Sequence, residues 1–194
     1  MKGVTTVWLD TETAGVEDHH ATIQIACVVE RDWQEIATFE QKIRFDATKA
    51  DPAALALNHY DAKTWEREAV GEGAAVALLG DFLRSHAEIE KRSKAGNPYR
   101  VARLAGHNIA SFDAPRLMAA FKRHGAFLPA AIFETLDTLH LSRWHALRLA
   151  SQPENFKLPT LCAHFGIPNP DAHDALADVR SCIAIARAIL EDGE

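Results

Sequence analysis

The N-terminal part of the chain carries three runs in which apolar, β-branched and aromatic residues dominate. They cover residues 4–10, 22–30 and 35–45, and only residues 31–34 separate the second run from the third. Because such side chains favour extended backbone, and because short connections join neighbouring strands, the pattern predicts three strands in an antiparallel meander.

Apolar residues spaced three and four apart dominate the rest of the chain and predict mostly helices. Asp51 as N-cap with Pro52 in the first turn marks one helix start, and Ser111 is expected to cap another helix. Two further strands are predicted at residues 100–106 and 135–138. The expected helices cover residues 52–60, 61–90 with a break at 71–73, 111–124, 139–149, 158–165 and 175–190. This order predicts an α/β fold, a mixed sheet with helices on its faces.

Length and hydropathy suit one compact domain. The chain has 194 residues, of which 47% are hydrophobic, and we expect a single domain over residues 1–194. Its apolar stretches fall short of the roughly 18 residues of a membrane span, and the N-terminus does not follow the pattern of a signal peptide. A soluble cytoplasmic protein that does not engage a membrane is therefore expected.

Charge and cysteine content narrow the class of protein further. The formal charge of −6 disfavours a protein that coats nucleic acid with a broad basic surface, although cations held by carboxylates can supply positive charge locally. Cys27, Cys162 and Cys182 are scattered among apolar neighbours, so we expect reduced core residues.

Four acidic residues occupy positions where they could meet. Asp10 and Glu12, in "WLDTETAG", lie two apart at the end of the first strand, so both point to one face and repel each other. Asp113 begins the helix after the fourth strand and approaches them if the first and fourth strands are neighbours. Asp178 lies at the edge of the apolar face of the last helix. His173, five residues earlier, shares its site only if it lies in the preceding loop, with the helix starting after it.

Carboxylates gathered in this way need cations. Oxygen ligands with one imidazole nearby suit Mg²⁺ or Mn²⁺ rather than zinc. Two such ions about 4 Å apart can hold the attacking and leaving oxygens of a phosphodiester during in-line displacement.

Three motifs carry a family resemblance. "WLDTETAG", "AGHNIASFD" and "HDALADVR", in that order, resemble the motifs of the DEDDh family of 3′-to-5′ exonucleases, which includes proofreading subunits and RNA-trimming enzymes. The histidine five residues before the last aspartate indicates the "h" branch. The resemblance implies an RNase H-like fold with a five-stranded mixed sheet, and hydrolysis at nucleic-acid 3′ ends that releases nucleoside 5′-monophosphates.

The resemblance also implies roles for five residues and a cofactor of two divalent cations, Mg²⁺ or Mn²⁺. Asp10 would bridge both ions, Glu12 and Asp178 would hold the ion that activates water, and Asp113 would hold the second ion. His173 would be the general base, since imidazoles exchange protons near neutral pH.

A second set of residues is implied to contact the substrate. In relatives the backbone of the turn after the first strand contacts the terminal nucleotide, and a segment corresponding to residues 57–60 lines the terminal-base pocket. The "HN" pair braces the substrate, and an aromatic residue lies beside the third acid. The corresponding residues are Thr11, Thr13, Ala14, Gly15, Asn58, His59, His107, Asn108 and Phe112. Ala14 replaces a second threonine, and Tyr60 replaces a glycine that often follows the histidine.

The expected partner is the 3′ end of single-stranded DNA or RNA, and the choice between the two stays open. A homodimer is possible and a polymerase partner is unknown. Two other functions are kept: a nucleic-acid-binding module without catalysis, and a metal-dependent phosphatase of small nucleotides. The basic segment "SRWHALR" is equally compatible with a strand-binding surface and with solvated surface, whereas solvated surface is favoured for "EKRSKAGNPYRVAR" and for the His19–His20 loop.

Overall fold

A five-stranded mixed sheet forms the centre of the molecule, in a computed structural model that describes residues 3–149 and 152–191. Its strands are β1 Thr5–Thr13, β2 Thr22–Arg31, β3 Gln34–Lys42, β6 Leu104–Gly106 and β7 Leu136–Asp137. The strand order is β3-β2-β1-β6-β7. The first three strands pair antiparallel, and β6 and β7 extend the sheet in parallel, so the predicted α/β fold is confirmed.

Helices cover both faces of this sheet, and alternate residues of β1 pack against them. The helices are α1 Pro52–Leu57, α2 Ala62–Glu68, α3 Glu72–Ser85, α4 Asp113–Arg123, α5 Thr138–Ala146, α6 Leu158–Phe165 and α7 Ala175–Glu191. Val7 and Leu9 face a core closed by α3 and α4, whereas Trp8 faces a core closed by α6 and α7. The three cysteines are free and buried, as expected.

The prediction of a single strand at residues 100–106 is wrong, because these residues divide between two sheets. β5 (Pro98–Val101) pairs antiparallel with β4 (Ile89–Arg92) in a separate hairpin, and only β6 joins the central sheet beside β1. The helix predicted to reach residue 90 ends at Ser85 instead, because residues 89–92 form the first strand of the hairpin. The chain turns between the sheets at Ala102, which pairs with Ala130 instead.

Two of the other differences from the predicted boundaries bear on the site. β1 runs to Thr13 rather than Asp10, so both acids lie inside the strand. Ser111 does not cap α4: the helix begins at Asp113 with Phe112 in the N-cap position and without a capping side chain. The reason is a tight turn, in which the backbone N–H groups of residues 111 and 112 both donate to the Asn108 carbonyl. In the part of the chain that the structure describes, none of the helices combines the length and hydropathy that crossing a bilayer requires.

Candidate active site

Three carboxylates from two elements converge at the end of β1. Asp10 and Glu12 follow Trp8 on alternate residues, so they share the face of the sheet that α7 covers. Asp178 lies in the first turn of α7. One carboxylate oxygen from each of the three residues lies within 4.8 Å of the others. The strand period and the position of the helix thus bring three of the four predicted acids together.

Burial and mutual repulsion make these carboxylates hold protons tightly. Removal from water, and after it the charges of Asp178, Asp174 and Asp113, together raise the pKa of Glu12 from 4.5 to about 8. The pKa of Asp10 is raised well above its ordinary value by burial and then by the charge of Asp113. In the described residues, no lysine or arginine forms an ion pair with Asp10, Glu12 or Asp178. The cluster therefore needs protons or cations.

Asp113 lies beside the three-carboxylate cluster rather than within it. It begins α4, where the helix dipole favours a carboxylate, and only 2% of it is exposed. The Thr11 hydroxyl donates to its Oδ1 at 2.6 Å, which stabilises the ionised form. Burial outweighs this bond and raises the pKa of Asp113 to about 7. The side chain of Thr11, a residue predicted to contact substrate, thus positions Asp113.

The loop before α7 holds His173 and Asp178 together. His173 lies in this loop with φ of 68°, and its backbone N–H donates to Asp178 Oδ2 at 3.2 Å. Asp174 caps the helix by accepting the Ala177 N–H at 3.0 Å. Since His173 precedes the helix, the rotation that would separate it from Asp178 on a continuous helix does not apply. Burial raises the pKa of Asp178, and the hydrogen bond from the His173 backbone N–H opposes this rise.

The segment after α1 lies against this loop and against β1. The Asn58 side chain donates to the Thr13 carbonyl at 2.9 Å. His59 Nε2 donates to the Ala172 carbonyl at 3.2 Å, directly before His173. Tyr60 instead packs its ring against Phe45 and Trp65, in a cluster to one side. His59 therefore supports the loop that carries His173.

A hydrogen bond within the turn after β1 stabilises its conformation. The Thr13 hydroxyl donates to the Gly15 carbonyl at 2.8 Å. Ala14 is buried, with its methyl in the same side cluster as Trp65. A Cβ on Gly15 would lie 2.4 Å from His20 Nδ1, so the close approach of that ring requires glycine. The side chains of Thr13 and Ala14 are thus occupied within the protein, and backbone groups remain for a ligand.

The "HN" pair closes the other side of the site. His107 Nε2 donates to the Phe156 carbonyl at 3.0 Å, and Nδ1 lies 2.9 Å from the Thr138 hydroxyl. Burial lowers the pKa of His107, and the Thr138 hydroxyl donates to the Gly106 carbonyl at 3.2 Å. Asn108 has φ of 58°, and its N–H donates to Asp137 Oδ1 at 2.9 Å. His107 therefore connects the end of β6 to the start of α5 and to the loop before α6.

Phe112, the last residue of the predicted substrate set, lies at the start of α4 and is half-buried. The Arg116 guanidinium lies 3.7 Å from the centre of its ring. Arg116 also donates to the Val16 carbonyl at 3.0 Å, in the loop after β1. Phe112 and Arg116 thus connect α4 to the turn that borders the acids.

Unfavourable backbone conformations gather at this site. Among the described residues, five that are not glycine have positive φ, and Asp32 and Trp33 form the tight β2–β3 turn, where this is usual. The other three are His59, Asn108 and His173. Each such conformation costs about 1 kcal/mol or more, and proteins retain such residues most often where function requires a set geometry.

Sequence reasoning missed three residues that shape the site. Asn169 donates to Asp178 Oδ1 at 3.3 Å, and the charge of Asp174 acts on Asp10, Glu12 and Asp178. Asp137, at the end of β7, binds the backbone of the "HN" turn. The prolines on either side of Asn169 indicate a rigid loop, but only the folded path of the chain shows where it leads.

The fold and the acidic cluster define an α/β protein with a candidate cation-binding site at one edge of its central sheet. Comparison with family models then identifies the family: the RNase_T exonuclease model matches residues 81–186, more than half of the chain, and the chain belongs to that family. The matched region contains Asp113, His173 and Asp178. No curated protein matches the chain in sequence.

Solved structures share the fold at low sequence identity. Escherichia coli exonuclease I in a zinc-bound complex with single-stranded DNA superposes with a TM-score of 0.77 at 19% identity, covering 98% of this chain and 41% of that one. The same enzyme with a dT13 oligonucleotide gives a TM-score of 0.75 at 21% identity, covering 95% and 40%. The chain thus spans about two-fifths of the length of these proteins.

Proposed function

We propose that this chain is an exonuclease domain of the DEDDh type, which removes nucleoside 5′-monophosphates from the 3′ ends of single-stranded DNA or RNA with divalent cations. The convergence of Asp10, Glu12 and Asp178 within 4.8 Å carries the proposal, together with Asp113 beside them. Membership of an exonuclease family supports it. Exonuclease I with bound oligonucleotides, which shares the fold, supports a single strand as substrate.

The donor set fits Mg²⁺ or Mn²⁺. It consists of carboxylate oxygens, which hard divalent ions prefer. The carboxylates are largely buried and their pKa values are raised, so without metal they reduce their mutual repulsion by binding protons. Bound cations would reduce the same repulsion. Asp10, Glu12 and Asp178 would hold one ion, and Asp10 with Asp113 would hold the second. When bound, the two ions would supply positive charge for the phosphodiester, an activated water and stabilisation of the leaving 3′ oxygen.

The residues of the chain itself then have distinct tasks. His173 takes the proton of the attacking water, because it lies in the loop beside Asp178 and imidazole exchanges protons near neutral pH. His59 holds that loop through the carbonyl that precedes His173. Thr11 orients Asp113. Backbone groups of the turn after β1 and of the "HN" turn hold the terminal nucleotide.

Activity on labelled strands tests the proposal. With Mn²⁺, the protein should shorten 5′-labelled single-stranded DNA or RNA stepwise and release mononucleotides. Asp10→Asn should lower the rate about 1,000-fold, because the cations contribute several kcal/mol and each 1.4 kcal/mol is tenfold in rate. Asp81→Asn, an exposed carboxylate on α3, is the matched control and should keep full activity.

Two results would overturn the proposal. Failure to release mononucleotides from any labelled strand, in the presence of Mn²⁺ and with the fold verified, contradicts an exonuclease. Hydrolysis of mononucleotides alone, with the strands left intact, indicates a phosphatase of small nucleotides instead.

A further inference from the structure

A groove lies beside the acidic cluster, on the side of the "HN" turn. His107 and Asn108 form one wall, Arg143 of α5 lies across from them, and Phe156 and Lys157 close the end. Its volume is about 530 Å³, within the roughly 300–1,000 Å³ of ligand sites. We propose that this groove binds the strand immediately 5′ of the terminal nucleotide, with phosphates against Arg143 and Lys157 and a base on Phe156. The inference rests on the proposed function.

Register places the groove next to the acids. Trp8 of β1 pairs with Ala105 of β6 in parallel, and β6 ends at Gly106, so His107 leaves the sheet at the edge toward which β1 continues to Asp10. Adjacent strands lie about 4.8 Å apart. The strands also approach closely here, since a Cβ on Gly106 would lie 2.6 Å from the Leu9 carbonyl oxygen. A strand whose 3′ end meets Asp10 therefore enters the groove within about one nucleotide.

The groove has the charge that a phosphate backbone requires. Arg143 and Lys157 are exposed, and within residues 3–149 and 152–191 neither forms an ion pair. The Arg143 charge reaches into the groove, because it contributes to the lowered pKa of His107. The chain has a net charge of −6, and the site carboxylates gather at the end of β1. The Arg143 and Lys157 side chains beside that site are therefore available to bind phosphates.

Aromatic surface and a rigid frame complete the groove. The half-buried Phe156 ring lies 5.8 Å from the Arg143 guanidinium, so an aromatic face and a cation lie together, as in surfaces that bind single strands by stacking and charge. His107 fixes this arrangement by donating to the Phe156 carbonyl. The groove is thus held in place before a strand arrives, which lowers the entropic cost of binding.

The other basic segment of the chain provides a contrast. On the β4–β5 hairpin, Lys91 pairs with Glu134, and Arg92 lies near Glu90. These carboxylates offset the positive charge of the hairpin. Lys94 and Arg100 of the same hairpin are exposed, and they give a control pair of equal charge away from the groove.

The test compares two double variants, Arg143→Gln with Lys157→Gln and, as the control, Lys94→Gln with Arg100→Gln. Turnover is measured on a single-stranded dodecanucleotide and on a dinucleotide without a 5′ phosphate, which carries only the scissile phosphate, as DNA and as RNA, over a range of salt concentrations. For the groove variant we expect KM for the dodecanucleotide to rise roughly tenfold and the salt slope of log KM to fall by about 1.4, since each phosphate contact to a single strand contributes about 0.7. The kcat/KM ratio of the dodecanucleotide to the dinucleotide should fall about tenfold, whereas the control pair keeps the wild-type ratio.

The outcomes separate this inference from the proposed function. An unchanged KM and salt slope in the groove variant, or an equal loss in the control variant, would overturn the groove as the strand path. An equal loss on both substrate lengths would indicate damage to the acidic site and would overturn it as well. If the wild-type protein releases no mononucleotide at all, the proposed function fails. Equilibrium binding of the labelled dodecanucleotide to both variants then still decides the groove.

Discussion

Without metal, the protein should lose stability as the pH rises from about 5 to about 8, which is the reverse of the usual behaviour of carboxylates. The pKa of Glu12 is 4.5 when exposed and about 8 in the fold, and that of Asp113 rises from 3.8 to about 7. At a pH between the unfolded and the folded pKa of each residue, the folded state holds a proton that the unfolded chain has released. The free energy of unfolding therefore falls with rising pH across this interval, and the stability present below pH 4.5 is lost by about pH 8.

The size of the effect follows from the same values. A tenfold change in proton affinity is worth about 1.4 kcal/mol, so the pKa of Glu12 alone corresponds to ~5 kcal/mol. Asp113 interacts with the same cluster, so its contribution does not simply add. For a domain of this size, each kcal/mol shifts Tm by about 2–4 °C, which makes a fall of about 10–20 °C. Divalent cations replace the protons, and at 100 times their Kd they return ~2.7 kcal/mol at pH 8.

Thermal unfolding at about pH 5 and about pH 8, with and without Mn²⁺, measures this linkage. The matched variants are Glu12→Gln and Glu66→Gln, the second an exposed carboxylate on α2. Glu12→Gln should raise Tm of the metal-free protein at pH 8 and should flatten its pH dependence, while it abolishes most of the stabilisation by Mn²⁺. Glu66→Gln should behave as the wild type. A metal-free Tm that stays level or rises between the two pH values, or a pH profile that Glu12→Gln leaves unchanged, refutes the reasoning.

Two further predictions concern the frame of the site. Gly106→Ala should lower stability by about 1–3 kcal/mol, read as a lower Tm, because its Cβ would press on the Leu9 carbonyl; Gly71→Ala, where a Cβ has open space, should cost under about 1 kcal/mol. His59→Ala should lower kcat by roughly tenfold and leave Tm within about 2 °C, because it frees the loop of His173 while disturbing little burial. A normal kcat in that variant would contradict the bracing role of His59, and an unchanged Tm in Gly106→Ala would contradict the close contact of β1 and β6.

Local pattern was sufficient for most elements, but it left open whether β1 and β6 are neighbours, which the structure shows. It failed at residues 100–106, where one apolar run supplies two strands of different sheets. The division at Ala102 depends on pairing with Ala130, a residue far along the chain that a local window does not include. The missed hairpin and the shortened third helix have the same cause.

At the site, periodicity predicted the shared face of Asp10 and Glu12, because that depends only on the strand repeat. It did not predict how His59 reaches the loop of His173, or that Asp174 adds its charge to the cluster. Both depend on the path of the loop before α7, which contains a residue with positive φ. Periodicity also did not predict that the Thr11 hydroxyl binds Asp113, which leaves the backbone of Thr11 for the expected substrate contact.

The register of β1 connects the two halves of the carboxylate set. Trp8, Asp10 and Glu12 share the face that α7 covers, and so meet Asp178, whereas Leu9 and Thr11 share the face of α4 and so meet Asp113. A slip of one residue would bury acids in one core and turn Trp8 out of the other, so the apolar residues of β1 hold its acids in place. The irregularity in β1–β2 pairing occurs only after Glu12, beyond the last residue whose direction matters to the cluster. The core of this protein therefore determines the geometry of its site, and changes in core packing beneath β1 should alter activity before they unfold the domain.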